Sequence, residues 1–128
     1  MSVIFSAIAI AALVVLSGWV YQQVGTARGH KRYPAPGCLV NLQGPSLHLL
    51  SMGEGSPTVV FESGLMSTVL SWQDIQAEIA KDARAVSYDR AGLGWSDPSP
   101  KPRTTKVIAE ELHTLLHHAG IAVLRAGQ

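Results

Sequence analysis

The sequence predicts an α/β fold preceded by a transmembrane helix. Two short runs that contain β-branched and aromatic residues, at positions 58–61 and 85–88, have the pattern of buried strands, and each runs into a glycine-bearing turn. An amphipathic stretch separates them, and an uncharged apolar run covers residues 3–20. Strand, helix and second strand together make a βαβ unit.

The apolar run predicts a single membrane span within residues 1–24. At about 1.5 Å per residue it approaches the roughly 30 Å of a bilayer core. Trp19 and Tyr21 lie at its end like interfacial anchors. Three basic residues follow between positions 28 and 32 and none precedes the run, which predicts a cytoplasmic domain. A cleaved signal peptide is the alternative, although a basic n-region is missing.

Composition excludes some classes of partner and scaffold. The 128 residues carry a formal net charge of +1 with 15% charged residues, so no basic field would attract nucleic acid. The single cysteine, Cys38, cannot form an internal disulfide. The expected partners are a lipid bilayer and, in a complete form, a small-molecule substrate.

Residues 25–36 are predicted to form a linker, because they are polar and basic, contain prolines and show no hydrophobic period. The predicted domain then covers residues 37–121. Two short apolar runs, at 39–42 and 47–50, flank Gly44-Pro45. They predict an antiparallel hairpin at the start of the domain.

Two helices are predicted within this domain. Ser71 can cap the first, with Asp74 in a capping-box relation, and apolar residues follow at helical spacing: Trp72, Ile75 and Ile79. Thr104 or Thr105 can cap the second, and Gly120 is placed to end it. The apolar stripe of the second helix consists of Ile108, Leu112, Leu115, Leu116 and Ala119.

Two motifs follow the predicted strands of the βαβ unit. The first is Glu62-Ser63-Gly64-Leu65, and the second is Y-D-R-A-G-L-G-W-S-D at residues 88–97. Together they resemble the amino-terminal half of the α/β-hydrolase fold family, in its serine-hydrolase-like, membrane-anchored bacterial type. The resemblance extends over residues 36–121. It implies an incomplete α/β-hydrolase sheet with the first four strands and two helices.

The resemblance implies cleavage of ester, amide or related bonds, through a Ser-His-Asp triad in the complete form and without a cofactor. In many members a His-Gly-x turn presents the backbone N–H of x to the developing negative charge. Ser63-Gly64-Leu65 occupies the matching place, so Leu65 is the implied oxyanion-hole donor. Ser63, Gly64 and Trp95 are implied pocket residues, with core packing as the alternative for Trp95.

A G-x-S-x-G nucleophile elbow, with a later acid and histidine, is also implied, but these 128 residues contain none. The nearest approach, G-P-S-L-H at residues 44–48, fails at its last position and lies in the predicted hairpin. We therefore expect no catalytic nucleophile, a hydrolase domain truncated near residue 121 and a non-matching tail at 122–128. The alternative is a non-catalytic small membrane protein that acts by binding or has no function.

Two other patterns would indicate different chemistry. Gly92-Leu93-Gly94 invites a dinucleotide-binding interpretation, but Asp97 stands where the third glycine would fall and a proline follows instead of a helix. His113 and His117, four residues apart on a helix, could reach one metal ion. His118 is adjacent, and Glu110 lies on the same face. That face is the polar one, and no other ligand is nearby in sequence, so no metal site is predicted.

Overall fold

The computed structural model describes residues 2–121, and the predicted tail at 122–128 lies outside the described residues. The chain divides into two units on either side of the bond between Pro34 and Ala35. In the described residues, the first unit is one helix, and the second contains a sheet and two further α-helices.

The amino-terminal helix, α1, covers Ser2–Arg32. Within it, Val3–Gly29 is long and apolar enough to span a membrane, by length and composition. Residues 25–32 of the predicted linker continue the helix. An exposed helix needs no apolar period, and alanine, arginine and lysine are strong helix formers. Pro34 ends the helix, because proline lacks an N–H and disfavours helical geometry at the preceding residue.

The second unit is built on one mixed sheet. Its strands are β1 Cys38–Asn41, β2 Ser46–Met52, β3 Thr58–Glu62 and β4 Arg84–Tyr88. Their order across the sheet is β1-β2-β4-β3. β1 and β2 form the predicted antiparallel hairpin, and β2 also pairs antiparallel with β4. β3 and β4 are parallel neighbours, which confirms the βαβ unit.

The crossover from β3 to β4 starts differently from the prediction. A 3₁₀ helix over Val69–Trp72 precedes α2, which covers Gln73–Ile79. Ser71 therefore lies inside the 3₁₀ helix, and the predicted Ser71 cap is wrong. The helical turn begins early because the carboxylate of Asp89, which follows β4, accepts a hydrogen bond from the Val69 N–H at 2.8 Å. A distant side chain replaces the local cap.

The buried face of α2 carries a polar residue. Gln76 is fully buried, whereas Ile75, predicted to lie on the apolar face, is 50% exposed. Gln76 Nε2 donates to the carbonyl oxygens of Leu50 and Ala85, both at 3.0 Å. Its Oε1 accepts from the Ser87 hydroxyl at 2.6 Å. One side chain thus joins α2 to β2 and β4.

The last helix, α3, covers Thr105–His118 and lies against β1. Thr104 is its N-cap, since the Thr104 hydroxyl oxygen accepts an N–H of the first turn at 3.3 Å. Gly120 has φ of 68°, and the N–H of Ile121 bonds the Leu116 carbonyl at 2.9 Å. This is the Schellman end that a glycine permits, as predicted.

The hydrophobic core lies between α3 and the sheet. Leu115 and Leu116 of the predicted stripe are buried, and Leu112 packs partly buried against them. The core cluster consists of Leu47, Leu49, Val86, Tyr88, Ala91, Leu115, Leu116 and Ile121. It fixes β2 and β4, whose ends carry the residues described next.

Candidate functional site

The carboxyl ends of β3 and β4 lie side by side, because Glu62 pairs with Tyr88 at the last position of both strands. In open α/β sheets, ligands bind outside the carboxyl ends of the strands. Both sequence motifs leave the sheet at this edge, one from Ser63 and the other from Asp89. This edge is the candidate functional site.

The turn after β3 presents an unpaired backbone donor. Ser63 is buried, and its hydroxyl has no hydrogen-bond partner within residues 2–121. Leu65 is 90% exposed, and Met66 adopts the left-handed conformation with φ of 58°. The Ser67 N–H closes the turn onto the Gly64 carbonyl at 3.3 Å. Among the described residues the Leu65 N–H has no acceptor, so it is free to bind an anion.

Asp89 connects the two turns from a fully buried position. Its Oδ1 accepts the N–H of Val69, beyond the first turn, at 2.8 Å. Its Oδ2 lies 2.9 Å from Nδ1 of His48 and 3.3 Å from the N–H of Trp95, in the second turn. Since an ionised carboxylate only accepts, the His48 proton lies on Nδ1. One carboxylate therefore holds both turns and β2 together.

The turn after β4 is shaped by close approach of its backbone to Asp89. Gly94 has φ of 53°, and a Cβ at this position would lie 2.2 Å from Asp89 Oδ2, so only glycine fits. The Ser96 hydroxyl donates to the Asp89 carbonyl at 2.6 Å and accepts the His48 N–H at 2.9 Å. Asp97 Oδ2 accepts the first N–H of β2 at 3.0 Å.

Trp95 is half-buried, with its ring centroid 5.1 Å from that of His48 and the two planes tilted by 56°. His48 is fully buried in β2, and its Nε2 has no partner within the described part of the chain. Sequence reasoning named His48 only as a mismatch in an elbow motif and missed its pairing with Asp89. A polar residue inside an apolar strand was the available signal, because it requires a buried partner.

A second polar cluster covers the strand ends. Arg90 Nε donates to one carboxylate oxygen of Glu62, and the Tyr88 hydroxyl donates to the other. Burial, followed by the hydrogen bond to Glu62, raises the pKa of the Tyr88 phenol well above its usual value. Arg90 itself lies in the turn after β4. The structure shows that it reaches across to β3.

Comparison with known proteins places these features in a fold family, although no protein-family model matches the chain. The uncharacterized protein YqjL of Bacillus subtilis is 32% identical over 71% of this chain and 34% of its own length. The enol-lactonase of Burkholderia xenovorans LB400 is 28% identical, with a TM-score of 0.58 over 65% of this chain and 32% of the enzyme. An α/β hydrolase of Sphaerobacter thermophilus is 26% identical, with a TM-score of 0.55 over 65% of this chain and 31% of the hydrolase.

The chain carries part of the α/β-hydrolase fold. It spans about a third of the length of the proteins it matches. Within this partial α/β-hydrolase fold, the two turns at the carboxyl edge are the motifs on which the family resemblance was based. The predicted α/β class, the four strands and the two helices after α1 are confirmed.

The other candidate chemistries find no support in this α/β-hydrolase geometry. Ser46 is the first residue of β2 and lies in the hairpin, not at a strand-to-helix elbow. No helix opens directly after Gly94, since α3 begins only at Thr105. His113 and His117 are exposed. Within residues 2–121, no three His, Cys, Asp or Glu side chains are grouped to hold a metal ion.

Proposed function

We propose that this chain supplies the oxyanion half-site of an α/β-hydrolase that cleaves ester, amide or related bonds in a small-molecule substrate. One observation carries the proposal: the Leu65 N–H has no acceptor in the described residues and lies on an exposed turn at the carboxyl end of β3. A backbone donor held in place before the reaction stabilises the negative charge of a tetrahedral intermediate.

The surrounding contacts support a fixed position for this donor. Asp89 anchors the helical turn at Val69, four residues beyond Leu65, and is itself held by His48. Ser63 and Gly64 precede the donor and form the first turn, and Trp95 lies in the second turn. We assign these three residues to the pocket wall. Pre-organisation of this kind needs no side chain at the donor position.

The half-site is best tested by transplanting it into an active relative. We suggest replacing the matching stretch of the Burkholderia enol-lactonase by residues 38–121 and measuring lactone hydrolysis. Leu65→Pro removes the N–H and is expected to lower kcat about 10²–10³-fold, whereas Leu65→Ala retains it and leaves kcat unchanged. Equal kcat values for the two variants, with both folded, would contradict the oxyanion assignment.

By itself the chain is expected to have no esterase activity above background, because an oxyanion donor without an attacking group cannot form the tetrahedral intermediate. The complete triad is proposed to reside in segments outside these 128 residues. A short-chain activated ester is a suitable substrate. Turnover that disappears on Ser46→Ala or Ser63→Ala would show that the nucleophile has been misplaced.

We also propose that α1 anchors the chain in a lipid bilayer by a single pass, with the second unit on the cytoplasmic side. The length and apolar character of Val3–Gly29 support the span. The three basic residues at its carboxyl end support the orientation. Protease added to intact cells should leave a carboxyl-terminal tag uncut. Cleavage of the tag would show the opposite orientation.

A non-catalytic binding role is the second candidate. It is favoured by the context of the nearest G-x-S-like segment, whose Ser46 lies in a hairpin rather than an elbow. The transplant distinguishes the two candidates. A folded chimera that hydrolyses no lactone, with or without the Leu65→Ala substitution, would favour the binding role.

A further inference from the structure

The last turns of α1 carry three basic residues on one face of the helix. Arg28, Lys31 and Arg32 lie at positions i, i+3 and i+4, and the helix continues without a break to Arg32. Residues at this spacing are neighbours on a helix surface. All three are exposed. We call them the basic face of α1, and the unbroken helix holds this face at a fixed distance from the apolar run.

The basic face has no negative charge beside it. No Asp or Glu precedes Glu54 in the sequence, and within residues 2–121 none of the three basic side chains forms an ion pair. Arg32 lies over the exposed Tyr33 ring, 5.8 Å from Cζ to the ring centroid, which leaves its charge uncompensated. The helix dipole attracts cations only within the last turn, and Arg28 lies before that turn. Neither the neighbouring sequence nor the helix end accounts for all three charges.

The length of the helix places the basic face at the headgroup layer of a bilayer. The apolar stretch Val3–Gly29 contains 27 residues. At 1.5 Å per residue it is about 40 Å long, which matches the roughly 40–45 Å of a bilayer with both headgroup layers. Arg28 therefore lies at headgroup depth, and Arg32 lies about one turn beyond it. Helical side chains lean toward the amino terminus, so all three cations point back toward the bilayer.

We propose that the basic face of α1 binds anionic phospholipid headgroups and concentrates these lipids around the anchor. This inference rests on the proposed membrane span and is independent of the proposed hydrolase role. Arginine offers a planar set of N–H donors that matches a phosphate, and lysine adds a third cation. A basic residue near an anionic leaflet gains about fivefold in affinity, or about 1 kcal/mol. Zwitterionic lipids have the same phosphate but no net charge, so the face should prefer anionic lipids.

Two triple variants with the same net charge separate the basic face from charge in general. Residues 54–128 carry seven Lys or Arg against nine Asp or Glu, so this part of the chain should not attract an anionic surface. Each variant replaces three exposed basic residues by glutamine and lowers the formal charge from +1 to −2. Glutamine is a good helix former, so α1 is preserved. The test variant combines Arg28→Gln, Lys31→Gln and Arg32→Gln, and the control combines Lys81→Gln, Lys101→Gln and Lys106→Gln.

The measurement is energy transfer from the full-length chain to labelled lipids in phosphatidylcholine vesicles. The donor dye is placed on Cys38, which is exposed and is the single cysteine. It lies six residues after Arg32, or at most about 22 Å of extended chain. The acceptor is a trace of acyl-labelled phosphatidylglycerol or, in parallel, of acyl-labelled phosphatidylcholine. The local concentration of the anionic acceptor should exceed that of the neutral one about fivefold.

The test variant should bring this concentration ratio to about one, whereas the control variant should retain the ratio of the parent chain. In the parent chain, 1 M salt should also reduce the ratio, because it shortens the Debye length from about 10 Å to 3 Å. A ratio near one in the parent, or an equal loss in both variants, would overturn headgroup binding.

Two further measurements separate the possible causes of failure. Flotation with pure phosphatidylcholine vesicles tests the anchor alone, and a chain that does not float would overturn both the anchor and this inference. A chain that floats but shows no enrichment would overturn this inference only. Inorganic phosphate added at constant ionic strength should leave the enrichment unchanged. Loss of the enrichment would indicate a site for free anions and contradict the assignment to lipid.

Discussion

Replacing Asp89 by alanine should destabilise the second unit more than replacing any exposed residue of the same turn. The Asp89 side chain is fully buried and accepts hydrogen bonds from Val69, His48 and Trp95. Alanine removes the acceptor and leaves donors from three separate segments facing a cavity. The perturbation therefore acts on the contact that joins both turns to β2.

The magnitude follows from the two shorter bonds. The distances are 2.8 Å to the Val69 N–H and 2.9 Å to His48 Nδ1, whereas the Trp95 N–H is 3.3 Å away. A hydrogen bond to a charged group contributes about 1.5–3 kcal/mol, so losing the two short ones costs about 3–6 kcal/mol. Total stabilities of domains are about 5–15 kcal/mol. Asp89→Ala is thus expected to remove much or all of the free energy of unfolding of this unit.

The assay is urea unfolding of the full chain in detergent micelles, followed by tryptophan fluorescence. Asp97→Ala is the matched control, because Asp97 is exposed and, within residues 2–121, its carboxylate accepts only the Ser46 N–H, at 3.0 Å. The control should lose less than about 1 kcal/mol. If Asp89→Ala unfolds within about 1 kcal/mol of that control, Asp89 does not hold the turns.

Three further outcomes are expected. Burial and a hydrogen bond raise the pKa of Tyr88, so its neutral phenol stabilises the fold below pH 10. Above pH 10 the free energy of unfolding should fall by about 1.4 kcal/mol per pH unit. Alkaline unfolding should show this loss in the parent chain and in Tyr33→Phe, but not in Tyr88→Phe. Gln76→Leu should cost about 2–4 kcal/mol by urea unfolding, and Ser87→Ala should cost less in that background than alone. The full chain should sediment with membranes, whereas recovery in the soluble fraction would contradict a membrane anchor.

Local sequence signals predicted the framework of the fold. The β-branched run before Glu62 and the glycine turns after both strands predicted β3 and β4, because strand pattern and turn geometry are properties of neighbouring residues. Thr104 and Gly120 predicted the ends of α3 for the same reason, since caps satisfy the backbone within a few residues. The structure confirms each of these elements.

Errors arose where a distant side chain decides the local structure. Ser71 was predicted as a cap, but the start of the helical turn is set by Asp89, twenty residues away in sequence. Ile75 was predicted to lie on the apolar face of this helix, but Gln76 occupies the buried face, where its amide bonds carbonyl groups of β2 and β4. Neither contact can be derived from periodicity, which counts apolar residues and not the donors and acceptors facing them.

The candidate site shows the same division between local and distant information. The motif at residues 62–65 located the turn that carries Leu65, but the clamp of Asp89 on Val69 appears only when β3 and β4 lie side by side. Since Leu65 offers a backbone N–H, its direction depends on the turn and not on its side chain. We therefore expect the position of the proposed oxyanion donor to depend on Asp89 and His48, two buried residues that need not touch a substrate.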